Sequence, residues 1–331
     1  MLLRHGHWPS GWEDGAGGSP ESEDLPRALH PEPLAEGGPV LWPVLAITAA
    51  VALSANSAAR RATEPSGADL IGPSIAFITS HQNADGGFGE RRSGSDPSVT
   101  AWAVLAIKAA GQDPARTERN GNSPADYLAE KPYPLATDLA LRILALDALG
   151  KDVERLADEL ERLREPKGRI GPFVNSTIWG VIALRAADRP VHRSTIRYVI
   201  LQQQRSGGWS WHPRAGADTD DTAAAIEALR AAGMAARSRA IQRGLAYINR
   251  FRRRDGGFAM GAGASNTQTT AWVIQAQIAS GRNPGRKPFA YLARMHRRDG
   301  GFRYSAGYAS NPLVMTARVV PALARRPFPL R

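Results

Sequence analysis

Residues 198–209 read YVILQQQRSGGW, and a short loop later Thr222 opens the run TAAAIEALRAAG. The first stretch sets apolar residues at helical spacing against a polar face, while the second is apolar or Ala on nearly every side. The second helix must therefore lie inside and the first outside. The unit recurs as IAFITSHQNADGGFG at 75–89, LAYINRFRRRDGGF at 245–258 and YLARMHRRDGGF at 291–302. Their second helices read TAWAVLAIKAAG from Thr100, TTAWVIQAQIASG from Thr269 and TARVVPALA from Thr316. Two degenerate copies without Gly-Gly lie between Asp126 and Ala187, with second helices starting at Thr137 and Ser176.

Six helix pairs predict an all-α fold, an α/α toroid over residues 72–325 with apolar inner and amphipathic outer helices. Closure is favoured because each pair leaves an apolar flank that only another pair can cover. The Gly-Gly of each turn marks positive-φ or close-approach backbone, and the aromatic after it is expected to plug the gap between neighbouring pairs.

Composition narrows the chemistry. The 331 residues are 43% apolar and 22% charged, which supports a packed core. No Cys is present, which excludes disulfides, thiol nucleophiles and zinc-thiolate sites. The formal charge is +11, and only a few of the 42 basic residues are Lys. Nucleic acid is not an expected partner. There is no P-loop, no Gly-x-Ser-x-Gly and no His-Glu-x-x-His, and no cofactor or metal site is implied.

Residues 1–39 are acidic and rich in Gly and Pro, and read as a disordered tail. Residues 40–59 carry no charge and end in small residues before Arg60-Arg61, as a signal or membrane-anchor segment would. The expectation is an exported or membrane-anchored protein at the cell envelope. The flanking charges leave the side of the membrane open.

The body resembles the prenyltransferase and squalene oxidase repeat family, the α6/α6 toroid of terpene cyclases and protein prenyltransferase β subunits. The Gln-x-x-x-Gly-x-aromatic (QW-like) signature of squalene-type cyclases stands at Gln203, Gly207 and Trp209, and at Gln82, Gly86 and Phe88. The turns at Asp255–Phe258 and Asp299–Phe302 lack the Gln. Asp218-Thr219-Asp220-Asp221 matches the Asp-x-Asp-Asp motif of class II terpene cyclases. In that family the middle acid protonates an alkene or epoxide, which makes Asp220 the general acid and Asp218 and Asp221 its supports. A helix N-terminus favours the conjugate base of such an acid. The family's protein-prenylating members need a zinc site of Asp, Cys and His, which a chain without Cys cannot assemble.

Internal alignment provides a control. Asp96, Asp218 and Asn266 each stand four residues before the Thr of a Thr-Ala pair, where an N-cap belongs, and Asn311 before Pro312 takes the matching place in the last copy. Asp220 and Asp221 align with Ser98 and Val99, Gln268 and Thr269, and Leu313 and Val314, so no repeat-wide rule asks for acids there. Acids in a first turn gain about 0.3–1 kcal/mol each, so a capping role also stays open. Trp102, Trp179 and Trp272 recur two residues after a Thr and read as core packing. Trp209 and Trp211, beside the acidic motif, are candidate ligand-binding residues.

Two function classes follow. The first expectation is a non-catalytic ring that binds an isoprenoid, another apolar or macrocyclic small molecule, or an envelope partner. The alternative is a class II terpene cyclase acting on a polyprenyl substrate. Cyclases of the resembled type pair two toroids around the cavity, whereas this chain has residues for one, so catalysis would call for a second subunit to exclude water.

Overall fold

The computed structural model describes residues 67–330. The expected tail and the uncharged segment at 40–59 lie outside the described residues. Among the described residues there are twelve α-helices and no β-strand. They are α1 (Ile71–Thr79), α2 (Pro97–Ala109), α3 (Pro124–Ala129), α4 (Ala136–Ala148), α5 (Glu154–Arg162) and α6 (Val174–Ala186). The second half holds α7 (Arg193–Leu201), α8 (Thr219–Ala231), α9 (Arg239–Asn249), α10 (Thr267–Ala279), α11 (Arg286–Met295) and α12 (Pro312–Leu323). None of these is long and apolar enough to cross a membrane.

Even-numbered helices form the inner layer. Each packs on the even helix before and after it, and α12 returns to α2, which closes the ring. Each odd helix lies chiefly on the inner helix of the preceding pair, and α1 accordingly lies on α12. The outer layer thus staples one pair to the next. Inner helices are buried almost throughout, as their all-round apolar character requires.

The glycine turns set the spacing of the pairs. Gly207 has φ +95°, and a Cβ there would stand 2.8 Å from the Arg243 carbonyl oxygen on α9. Gly300 has φ +91° and would meet the Pro73 carbonyl oxygen on α1 at 2.3 Å. Gly86, Gly168 and Gly256 approach the next outer helix in the same way. The second Gly makes room for an aromatic ring: Tyr247 lies against Gly208 and donates its hydroxyl to the Ala217 carbonyl at 2.5 Å. Tyr127 and Tyr291 repeat this bond to Ser95 and Ser265, and Phe77 takes the place without a hydroxyl at the ring seam.

The residue after the glycines is a wedge. Phe88, Trp209, Phe258 and Phe302 are fully buried, each worth about 1.5–3 kcal/mol of apolar burial. Every wedge N–H donates to the hydroxyl of the inner-helix Thr, as Trp209 does to Thr222 at 2.9 Å and Phe88 to Thr100 at 2.8 Å. That hydroxyl in turn donates back along the helix, from Thr222 to the Asp218 carbonyl at 2.5 Å. Ile170 does the same with Thr177 in a copy that has only one glycine. The Gln of the Gln-x-x-x-Gly-x-aromatic pattern ties turn to neighbour: Gln203 donates to the Gly207 and Ala240 carbonyls, both at 2.8 Å. Where it is missing, Arg252 and His296 lie on the rings of Phe258 and Phe302 instead.

One expected cap is corrected. Asp96, Asp218 and Asn266 cap their helices through side-chain oxygens, but Asn311 has φ +48° and makes no such bond. Glu90, from the first copy, accepts the Leu313 and Val314 N–H groups at 3.2 and 3.1 Å and caps α12 across the seam. The Thr316 hydroxyl bonds to the Pro312 carbonyl, so the last copy sits one residue out of the register that Asn311 implies.

Gly300→Ala should cost about 3 kcal/mol or more, since the left-handed backbone penalty of about 1–2 kcal/mol adds to an unavoidable backbone collision. Gly281→Ala, at φ +69° with open space around it, should cost only the backbone penalty, about 1 kcal/mol. Urea unfolding of the two variants against wild type measures the difference.

Candidate functional site

The acidic motif sits at the start of α8, where the Thr222 latch fixes the first turn against the Trp209 wedge. Asp218 is the N-cap, its Oδ1 accepting the Asp221 N–H at 2.8 Å. The next two acids diverge to opposite neighbours. Asp220 Oδ2 accepts the Gln268 amide of α10 at 2.8 Å, and Asp221 Oδ1 accepts the Asn175 amide of α6 at 2.5 Å. Gln268 in turn accepts an N–H of Arg318 on α12, whose guanidinium lies 5.2 Å from the Trp102 ring centroid on α2. A polar chain therefore runs around the N-terminal end of the inner ring.

Burial sets the protonation of this cluster. Asp218, Asp220 and Asp221 are 8%, 8% and 4% exposed. Burial pushes the Asp218 carboxyl well above the usual range, and the neighbouring acids push it further. Asp221 is also raised by burial, opposed by hydrogen bonding to Asp218 and Asn175. Asp220 is raised by burial, opposed by the adjacent Thr269 hydroxyl, by Gln268 and by the Arg318 charge. The Thr269 hydroxyl itself forms no well-aligned bond, and Asp220 Oδ1 is buried without a hydrogen-bond partner. Arg318 is lowered by burial to about 10 and stays cationic at neutral pH.

Acids that stabilised a helix start through its dipole alone would be solvated and ionised. These are desolvated, with their carboxyls raised by burial, so the N-cap hydrogen bond accounts for Asp218, while the helix dipole alone gives no reason to bury Asp220 and Asp221. A negative charge on Asp220 would be received by the Gln268 amide and the nearby Arg318 cation.

Trp102, Trp179 and Trp272 come from alternate inner helices and still touch one another, with ring centroids 5.5–5.8 Å apart. Contact between alternate members of a six-helix ring happens only at its axis, so the indoles fill the lumen just below the acids. Trp209 has the wedge role shared with Phe88, and its indole N–H donates to the Val199 carbonyl at 2.7 Å. Trp211 is 42% exposed, stacks on Phe173 and His212, and caps α6 with its carbonyl. It stands on the rim beside the cluster. Two hollows, of about 660 and 460 Å³, lie on the outer surface by Lys167 and Tyr198 and at the seam by Glu90 and Arg297, away from the acids. Among the described residues no group of three or more His, Cys, Asp or Glu could hold a metal ion.

Sequence reasoning missed Asn175, Gln268, Arg318 and Glu227. A signal existed: Asn175, Asp220 and Gln268 each stand two residues before their Thr, and Arg318 stands two after Thr316, where other copies carry Trp.

The fold has solved counterparts. A protein from Actinoplanes matches with a TM-score of 0.60 and 17% identity, covering 78% of this chain and 99% of that one. A variant of the type II terpene cyclase MstE from Scytonema, in complex with geranylgeranyl dihydroxybenzoate, matches with a TM-score of 0.57 and 15% identity over 78% of this chain and 97% of that one. A glycosidase in complex with glucose matches with a TM-score of 0.53 and 14% identity over 78% and 96%. No family model matches the chain, and no curated protein matches it. These likenesses define the class, an all-α toroid with a terpene-cyclase-like fold. A ring that also serves a glycosidase does not by itself fix a reaction.

Deeper in the lumen, Glu227 is raised by burial to about 8, opposed by the Phe328 N–H it accepts at 2.8 Å. Its unfolded value is about 4.5, so the folded state holds a proton that the unfolded chain has lost across that window. Stability from this group is complete below about pH 4.5 and falls as pH rises through about 8. The unfolding midpoint should therefore drop between about pH 5 and 8, and Glu227→Gln, which keeps an acceptor for Phe328, should raise the midpoint at pH 8 by about 5 °C. Circular-dichroism melts across that range measure it.

Proposed function

We propose that the protein is a class II terpene-cyclase-type catalyst in which Asp220 protonates an alkene or epoxide of a polyprenyl substrate. The observation that carries this reading is the buried Asp220, its carboxyl raised by desolvation, with one oxygen unpartnered and the other held by Gln268. Asp221 and Asp218 stand buried beside it, Asp221 held by Asn175 and Asp218 by the Asp221 N–H. Gln268 and Arg318 receive the charge left on Asp220 after transfer. The indoles at the axis offer π faces to a developing carbocation. The size objection eases, because the MstE chain is itself covered over 97% of its length by a single ring. The uncharged segment at 40–59 supports an exported or membrane-anchored location at the envelope, near apolar substrates.

A second reading is favoured by the aromatic filling of the lumen, which leaves the ring as a holder of an apolar or macrocyclic ligand or an envelope partner without catalysis. Incubating full-length wild type and Asp220→Asn with squalene and a set of polyprenyl diphosphates, followed by extraction and mass spectrometry, separates the two. Cyclised isomers or hydrates are expected from wild type, with at least about a 100-fold loss in the variant. Equal retention without conversion by both proteins would establish the holder and end the catalytic reading.

A further inference from the structure

The end of the lumen opposite the acidic cluster is filled by the chain itself. After α12 the segment 324–330 folds inward, and the Phe328 ring lies 5.9–6.1 Å from the centroids of Trp102, Trp179 and Trp272. Phe328 is 3% exposed. Its N–H donates to Glu227 Oε2 at 2.8 Å. The sequence pattern gives no reason for a wedge here, because this aromatic belongs to no glycine turn.

The polar groups around Phe328 are incompletely used. Glu227 Oε1 is buried without a partner, as are both the Oε1 and the Nε2 of Gln275, a residue that is 0% exposed. Glu227 lies seven residues after Asp220 on α8, and Gln275 seven after Gln268 on α10, about 10 Å deeper along the same stripes. The upper acid and amide meet each other. The lower pair does not, since Glu227 takes the Phe328 N–H instead. Leaving several buried polar atoms unpaired costs about 1–3 kcal/mol each, which packing alone gives no reason to accept. An aromatic cage with a carboxyl and an amide at its edge is what an apolar group carrying an N–H or ammonium donor requires.

We infer that Trp102, Trp179, Trp272, Glu227 and Gln275 form a second binding site, for an arylalkyl or branched-alkyl ammonium, and that Phe328 occupies it as an internal surrogate. Phe328 supplies the two features the ligand would: a ring in the cage and an N–H on Glu227. A free ammonium opposite Glu227 favours release of the carboxyl proton to solvent, pairs with the resulting carboxylate, and adds a donor for Gln275 Oε1. Its apparent affinity in wild type is reduced by the fraction of molecules in which Phe328 fills the cage. The site shares the axial indoles with the proposed reaction but uses neither Asp220 nor its hydrogen-bond partners, so failure of the proton-transfer reading leaves it standing.

The test titrates the full-length protein with phenethylammonium and with its neutral counterpart 2-phenylethanol, following tryptophan fluorescence and calorimetry. Phe328→Ala should bind phenethylammonium about tenfold or more tighter than wild type. Within the Phe328→Ala background, Glu227→Gln should weaken phenethylammonium about tenfold and leave 2-phenylethanol unchanged. Equal affinity of wild type and folded Phe328→Ala, or no preference for the ammonium over the alcohol, overturns the inference. Should Phe328→Ala fail to fold, hydrogen exchange on wild type decides: saturating phenethylammonium must speed exchange in the peptide containing the Phe328 amide, and unchanged exchange overturns the inference.

Discussion

The approach of each glycine turn to the backbone of the next outer helix is the constraint on which the ring depends. Gly207 against Arg243 and Gly300 against Pro73 bring main chain to main chain at distances that exclude any side chain. That contact fixes the angle between consecutive pairs. The wedge residue then fills the gap, and the Thr hydroxyl satisfies the wedge N–H, so spacing, burial and hydrogen bonding are settled in one short segment. Closure follows from repetition. At the seam, where sequence repetition has nothing left to offer, long-range contacts replace it: Phe77 stands for the Tyr, and Glu90 caps α12.

The same constraint explains why the lumen holds chemistry. Outer and lateral faces of each inner helix are committed to neighbouring helices, so only the axial stripe is free to vary between copies. The repeats differ on this stripe. Two residues before the Thr stand Ser98, Asn175, Asp220 and Gln268, and the Trp position of three copies is Ala224 in α8 and Arg318 in α12. Asp220 on this stripe and Asp221 beside it are buried at a cost in desolvation that no repeat-wide rule requires.

Much of this architecture was legible in the sequence because it is repeated. The helix pairs, their layers, the turn glycines and the Asp218 cap all show as self-similarity, and the structure adds the reason for each. Three things were not legible. Asn175, Gln268 and Arg318 act on Asp220 and Asp221 from other helices, and neighbours around a ring are not neighbours in sequence. The place of Trp102, Trp179 and Trp272 at the axis depends on alternate helices facing each other, which a repeat pattern states only after closure is known. Phe328 and Glu227 lie outside the repeat rule altogether, and their pairing over 101 residues has no local signature.

The variable stripe is unevenly distributed around the ring. Asp220, Glu227, Gln268, Gln275 and Arg318 all come from α8, α10 and α12, three consecutive inner helices. The axial indoles Trp102, Trp179 and Trp272 come instead from alternate helices α2, α6 and α10, and Asn175 of α6 adds an amide at the α8 border. The charged and amide side chains of the lumen are thus gathered on neighbouring helices, while its aromatic filling is shared around the ring. This gathering of polar side chains arises on the axial stripe, where the packing between helices does not dictate the residue, and each such group is buried at a cost in desolvation.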